Sequence, residues 1–120
     1  MKPTLTVTGK LPSLNDVIGA CRTHPHAGAS LKKRTEADIM VQIPRGLKID
    51  GRCSWHFVWY EPTKRRDPDN IASAVKFLFD ALVCKRVIEN DGWAQVAAIS
   101  HEFRAGENQR VEIFATPLDR

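Results

Sequence analysis

Apolar and β-branched residues alternate with polar ones in two stretches of the chain, and this period of two is typical of strands. The first stretch is residues 4–8, Thr-Leu-Thr-Val-Thr. The second is residues 52–60, which place four apolar side chains on one face: Cys53, Trp55, Phe57 and Trp59. A strand face with four apolar side chains must pack against a core. We therefore predict a strand at each stretch, with the second lying in the core.

Two other stretches carry apolar residues at helical spacing. A helix is predicted from residue 30 to residue 43, where Pro44 stops it; its buried side is formed by Leu31, Ile39, Met40 and Ile43. A second helix is predicted from residue 70 to residue 82. Its apolar residues recur at i, i+4, i+7 and i+11, namely Ile71, Val75, Leu78 and Leu82.

The remaining segments predict shorter elements. Residues 13–16, Ser-Leu-Asn-Asp, resemble a capping box and predict a short helical turn. Residues 22–29 contain proline, glycine and two histidines, which favours a mobile loop. Residues 94–103 and 110–116 read as two strands around a turn at Gly106, and we expect them to form a hairpin.

This order of elements predicts an α+β fold. We expect one domain over residues 1–120, with a small mixed or antiparallel sheet of about four strands and two main helices packed on it. Hydrophobic residues make up 42% of the chain and charged residues 27%, as in ordinary soluble domains. No apolar run approaches the roughly 18–20 residues that span a bilayer, and the N-terminus lacks an apolar signal core. We expect a cytoplasmic protein with no membrane partner.

Three cysteines at wide spacing, Cys21, Cys53 and Cys84, argue against a disulfide framework. The net charge of +4 is too mild to identify a partner by itself. Its distribution is more informative, because the basic residues include two compact triplets, Lys32-Lys33-Arg34 and Lys64-Arg65-Arg66. Basic clusters of this kind attract polyanions such as nucleic acids.

Three carboxylates surround one lysine in the sequence: Asp67 and Asp69 directly follow the second triplet, and Asp91 comes after Lys76. Side chains at i and i+2 of extended backbone point the same way, so Asp67 and Asp69 can face one ion. Hard divalent cations such as Mg²⁺ bind a few carboxylates together with waters and substrate phosphates. The pattern therefore points to metal-assisted phosphodiester chemistry.

A purely structural interpretation of the same residues stays open. Asp69 or Asn70 can serve as the N-cap of the following helix. Lys76 can form an i,i+4 pair with Asp80. Asp91 lies in an Asn-Asp-Gly turn, where aspartate is common for local hydrogen bonding alone.

The stretch from Arg65 to Asp91 resembles the RusA family of Holliday junction resolvases. In that family an arginine-rich Asp-x-Asp-Asn motif precedes a Lys-x-x-x-Asp-Ala-Leu helix, and an Asp-Asp pair follows in a loop. The matching segments here are Arg65-Arg66-Asp67-Pro68-Asp69-Asn70, then Lys76-Phe77-Leu78-Phe79-Asp80-Ala81-Leu82, then Asn90-Asp91. Leu11-Pro12-Ser13-Leu14-Asn15 resembles the family's Pro-Pro-Ser-Asn-Asn more weakly.

The chain departs from the family pattern at two places. The family's lysine follows Asp-x-Asp-Asn about three residues sooner, so a count from Asp67 arrives at Ser73. Counting back from Asp80 arrives at Lys76, which we take as the family's lysine. The first residue of the Asp-Asp pair is Asn90 here, so the family's catalytic second aspartate falls on Asp91.

The resemblance implies a homodimeric, Mg²⁺-dependent endonuclease that resolves four-way junction DNA, with no small-molecule cofactor. Asp67, Asp69 and Asp91 would hold one or two Mg²⁺ ions, for which Mn²⁺ substitutes, and Lys76 would act on the reacting phosphate. Six basic residues would grip DNA phosphates: Lys64, Arg65, Arg66, Lys32, Lys33 and Arg34. Apolar residues beyond the needs of one small sheet face offer surface for the dimer, and the sequence does not tell which of them faces the partner: Cys53, Trp55, Phe57, Trp59 and Phe79.

Two other functions stay open on the sequence. One is a non-catalytic DNA-binding protein in which the carboxylates only cap and solvate. The other is a metal-dependent nuclease that acts on other branched DNA, such as forks or flaps. Mg²⁺-dependent nicking of a synthetic junction separates the first from an enzyme.

Overall fold

The computed structural model of the chain describes residues 1–24 and 26–118, which form four strands and four helical segments. In chain order these are β1 (Leu5–Thr8), α1 (Leu14–Thr23), α2 (Ala27–Met40), β2 (Cys53–Glu61), α3 (Pro68–Ala72), α4 (Val75–Cys84), β3 (Val96–Ala105) and β4 (Arg110–Pro117). None of the helices in these ranges is both long and apolar enough to cross a bilayer.

The strands form one mixed sheet in the order β1-β4-β2-β3, which confirms the predicted α+β class. β4 runs antiparallel to both β1 and β2, whereas β3 runs parallel to β2. The predicted hairpin of β3 and β4 is wrong, because β2 lies between them. The turn at Gly106 crosses the end of β2 instead, and the Gly106 N–H donates to the carbonyl of Glu61 at 3.0 Å.

The core lies between the sheet and the helices, and β2 supplies its largest side chains. Cys53, Trp55, Phe57 and Trp59 are all buried, as the alternation predicted. Phe79 of α4 is buried with them and meets the rings of Trp55 and Phe57 edge-on, at centroid distances of 5.1 and 5.8 Å. The expectation that these five residues supply a dimer surface is therefore wrong, because the chain's own core contains them.

The first N-terminal helix is longer than predicted, and the second begins earlier. The capping box is present: the Asp16 N–H donates to Ser13 Oγ at 3.2 Å, and the Ser13 N–H donates to Asp16 Oδ2 at 2.9 Å. It begins a ten-residue helix rather than a single turn, and α2 already begins at Ala27. The predicted loop at 22–29 is wrong for most of its length, although Pro25 lies outside the described residues. A Cβ atom at Gly28 would lie 2.4 Å from Cys21 Sγ, so glycine allows α1 and α2 to approach closely here.

The predicted helix over residues 70–82 is divided into α3 and α4. Three of the four predicted apolar positions, Ile71, Leu78 and Leu82, are buried, and the fourth, Val75, is half-buried against the core. The break falls after Ala72, and Ser73 Oγ donates to the carbonyl of Asn70 at 2.6 Å there. The other predicted helix, over residues 30–43, ends as α2 at Met40, and its last residues form turns.

His101 of β3 contributes a titratable contact to the edge of this core. The indole Nε1 of Trp59 donates to His101 Nδ1 at 2.9 Å, which requires that nitrogen to be unprotonated. Burial, and to a smaller extent the charge of His56, lower the pKa of His101 below its ordinary value. The folded chain therefore resists protonation at this position more than the unfolded chain does.

This difference predicts a loss of stability in acid. A folded-state pKa below the unfolded value of about 6.5 means that the His101 contribution is complete above pH 6.5. It is lost as the pH falls through the lowered pKa, because the unfolded state binds the proton first. His101→Asn retains an acceptor for Trp59 without the titration, so its urea-unfolding free energy should fall less between pH 8 and pH 5. His24→Asn, at an exposed histidine, is the control and should retain the wild-type dependence. Equal pH dependence in His101→Asn and wild type would contradict the assignment.

Candidate functional site

Asp67 and Asp69 lie at the start of α3, on the surface. Asp67 occupies the N-cap position with extended backbone, and Pro68 takes the first helical position. The Asp67 side chain makes no capping hydrogen bond, whereas Asp69 Oδ1 accepts from the N–H of Asn70 at 2.9 Å. The N-cap is thus neither Asp69 nor Asn70, the two residues that the sequence suggested. Both carboxylates are exposed, as a site for an external ligand requires.

Lys76 lies in the first turn of α4 and contacts two carboxylates. Its Nζ is 3.1 Å from Asp80 Oδ1, one turn further along the helix, and 3.6 Å from Asp91 Oδ2, in the loop after α4. The hydrogen bond and charge of Asp80, and then those of Asp91, raise the pKa of Lys76 above its usual value. The fold therefore brings together two of the predicted catalytic residues, Lys76 and Asp91, and holds the lysine charged.

A second lysine and a glutamate from α2 extend this cluster. Lys32 Nζ lies 3.5 Å from Asp80 Oδ2 and 3.9 Å from Glu36 Oε2, and neither of these oxygens has a hydrogen-bond donor within normal distance. Burial, and then the nearby Asp80 carboxylate, raise the pKa of Glu36, although Lys32 opposes this shift. The sequence reasoning missed Glu36. The i,i+4 spacing from Lys32 was a visible signal, but the contact with Asp80 depends on how α2 packs against α4.

Ser73, the alternative to Lys76 in the family pattern, has a different environment. It is half-buried at the junction of α3 and α4, where its hydroxyl donates to the carbonyl of Asn70. Of these two candidates, Lys76 is the one that contacts Asp91.

The predicted metal ligands do not form a group in the chain alone. Across residues 1–24 and 26–118, no three His, Cys, Asp or Glu side chains lie close enough together to hold a metal ion. Asp91 is paired with Lys76, and no hydrogen bond or ion pair among these residues joins it to Asp67 or Asp69. The carboxylate oxygens are of the type that Mg²⁺ prefers, so the donor chemistry of these residues suits that ion.

The basic triplet before α3 contains residues of two kinds. Lys64 and Arg65 are exposed. The Arg66 side chain is only 18% exposed. Its guanidinium donates to both carboxylate oxygens of Glu61, at 3.2 and 2.9 Å, and to the carbonyl of Leu11 at 2.8 Å. Arg66 therefore ties the end of β2 to the segment between β1 and α1.

The triplet on α2 is divided in a similar way. Lys32 forms ion pairs with Glu36 and Asp80, although its side chain is 55% exposed; Lys33 and Arg34 are exposed as well. Each triplet thus contains one cation that forms ion pairs within the chain, and of these two cations only Arg66 is largely covered.

No family model matches the chain, and no curated protein matches it. The likeness to the RusA resolvases therefore rests on the motif residues themselves.

The contacts of Arg66 predict a clear difference from its neighbour. Arg66→Ala removes the charged partner of a Glu61 side chain that is only 12% exposed and leaves it the Gln109 amide as a donor, and should lower the free energy of unfolding by about 1–3 kcal/mol. Arg65→Ala, at an exposed position, is the matched control and should stay within about 0.5 kcal/mol of wild type. Chemical denaturation of the two variants checks this. Equal stability would contradict the structural role of Arg66.

Proposed function

We propose that the chain is a Mg²⁺-dependent, structure-selective endonuclease that resolves four-way DNA junctions by paired symmetric incisions. The observation that carries the proposal is the contact between Lys76 and Asp91. These residues occupy the lysine and second-aspartate positions of the RusA-like stretch, and they meet although a helix and a loop separate them in sequence. The exposed Asp67 and Asp69, at the N-terminus of the helix preceding α4, complete the set of motif residues.

The proposed roles follow from the chemistry of each side chain. A bound Mg²⁺ or Mn²⁺ ion polarises a phosphate and lowers the pKa of a water ligand. Asp67, Asp69 and Asp91 would hold it, which requires that binding of metal and DNA bring these carboxylates together. Lys76, whose side chain is two-thirds exposed, would stabilise negative charge that develops on the phosphate.

Exposed basic residues would position the DNA. Lys64, Arg65, Lys33 and Arg34 reach solvent and can contact phosphates, which fixes the DNA without reading its sequence. Arg66 and Lys32, the other two residues expected at the DNA, would contribute charge from their ion pairs. The nuclease would act in the cytoplasm of a bacterium, encoded there or by a phage, and would need no small-molecule cofactor.

Two incisions in one junction call for two sites. A chain with one set of motif residues has one active site. A second copy, related by a two-fold axis that matches the junction's own pseudo-two-fold symmetry, supplies the other active site. The proposed working unit is therefore a homodimer.

A non-catalytic DNA-binding protein is the second candidate. It is favoured by the ion pairs of Lys76, which suffice to explain why that lysine is held in place. A nuclease that acts on other branched DNA is a third. Cleavage of four-way, three-way and linear duplex DNA, compared in Mg²⁺, Mn²⁺ and EDTA, separates all three.

Loss of a carboxylate should abolish cutting and spare binding. Asp69→Asn removes a negative charge near the DNA, so its affinity for a four-way junction in EDTA should equal or exceed that of wild type. Its cleavage in Mg²⁺ should be lost, as should that of Asp67→Asn and Asp91→Asn. Asp38→Asn, at an exposed aspartate of α2 outside the motif, is the control and should cut normally. If all three motif variants retain cleavage, the metal assignment fails.

Lys76 should affect the rate more than the affinity. If it stabilises charge that develops during the reaction, Lys76→Ala should lower the single-turnover rate by roughly 10²-fold with little change in junction Kd. Ser73→Ala should cut at close to the wild-type rate, since its hydroxyl is bound to the Asn70 carbonyl. A defect confined to Ser73→Ala would assign the family's lysine position to Ser73 instead.

A further inference from the structure

β3 is a long edge strand without the protection that the opposite edge has. It spans ten residues and pairs with β2 on one side; no other described strand pairs with it. β1, at the other edge, has four residues and follows Pro3. Short edges, proline and lysine are common means of blocking unwanted strand pairing. β3 contains neither proline nor lysine, and its pairing with β2 is regular from Ala98 onward.

The face of the sheet that packs against the helices extends onto β3, where its row of side chains is only partly covered. Ile99, His101 and Phe103 are the β-sheet partners of Trp55, Phe57 and Trp59, so they lie on the same face as the buried side chains of β2. Ile99 is nevertheless 47% exposed and Phe103 38%. Trp93, just before the strand, is 89% exposed. Two exposed apolar side chains, Ile99 and Phe103, thus lie along the unpaired strand, and a third, Trp93, precedes it.

We propose that β3 pairs with β3 of a second copy of this chain, antiparallel, about a two-fold axis at His101. This register aligns residues 97–105 of each strand with residues 105–97 of the other. Ile99 of each copy then lies opposite Phe103 of the other, on the face that carries the core. On the opposite face, Ser100 of each copy lies opposite Glu102 of the other.

The strand is complementary to itself in this register. Ile99 and Phe103 are equally distant from His101 in sequence, so a two-fold axis there brings the two apolar side chains together twice. The pKa of His101 is lowered, so the two imidazoles at the axis are neutral near pH 7 and do not repel each other. Glu102 and Arg104 form an ion pair within the chain, which leaves the strand without net charge. A neutral apolar edge fits a second copy better than it fits a nucleic acid.

This pairing would join two four-stranded sheets into one continuous sheet. It gives the proposed homodimer an interface in place of the buried residues that the sequence suggested. The inference rests on the edge strand and not on nuclease activity, so it can be tested without DNA or metal.

Sedimentation equilibrium of the full chain tests the interface. Wild type at tens of micromolar should have twice the 13.5 kDa chain mass. Ile99→Lys and Phe103→Lys should each place lysines in the apolar row and shift the protein to a folded monomer, as judged by circular dichroism. Ile18→Lys is the matched control, because Ile18 on α1 is 39% exposed, close to the 38% of Phe103. This variant should remain a dimer.

The outcomes separate the inference from the proposed function. A monomeric wild type overturns the pairing, and so do dimers that persist in both folded lysine variants. If dimers persist in both lysine variants and the protein cleaves junctions, the proposed function is retained and the dimer must form through another interface. If the protein dimerises through β3 but cleaves no junction with any divalent metal, the pairing is supported and the resolvase proposal is contradicted.

Cross-linking tests the register. In a background with Cys21→Ser and Cys84→Ser, which removes both exposed thiols, His101→Cys should form an intermolecular disulfide in mild oxidant. Ile99→Cys should not, because the two Cα atoms would lie about 13 Å apart along the strands. Efficient cross-linking through residue 99, or none through residue 101 in a dimeric sample, would overturn this register.

Discussion

Phe79 of α4 meets Trp55 and Phe57 of β2 edge-on, and this aromatic contact fixes the position of the helix that carries Lys76 and Asp80. Aromatic pairs in this geometry are favourable beyond the area they bury. With one side of α4 held against the sheet, Lys76 and Asp80 are directed towards α2 and the loop that contains Asp91. The geometry of the acidic and basic residues therefore depends on the packing of an apolar strand.

The pattern of apolar residues predicted which side chains are buried better than it predicted how the chain is connected. Alternation over residues 52–60 predicted the buried face of β2 correctly. The break between α3 and α4 was not predictable from periodicity, because the apolar stripe continues across it. The prediction of a hairpin between β3 and β4 was wrong for another reason. Nearness in sequence favours pairing of β3 with β4, but β2 is the more apolar strand, and it takes the central position between them.

The candidate site was predictable where it depends on local spacing or on the family motif. The Lys76–Asp80 pair follows from i,i+4 spacing, and the motif grouped Lys76 with Asp91. The roles of Glu36 and Arg66 were not predictable. A run of basic residues in a sequence does not show which one a buried carboxylate will bind. Glu61, which pairs with Arg66, lies at the end of β2, and its burial is set by tertiary packing.

The charge balance of the cluster around Lys76 explains why binding and cutting should depend on different residues. Lys32 and Lys76 contribute two positive charges, whereas Glu36, Asp80 and Asp91 are three carboxyl groups in contact with them. With all three carboxyl groups ionised the group has a net charge of −1, so it does not attract a phosphate strongly. Attraction must come from the exposed cations outside it, Lys64, Arg65, Lys33 and Arg34. Under the proposed function, a substitution within the cluster should therefore change the rate at a bound phosphate and leave the initial attraction of DNA largely intact.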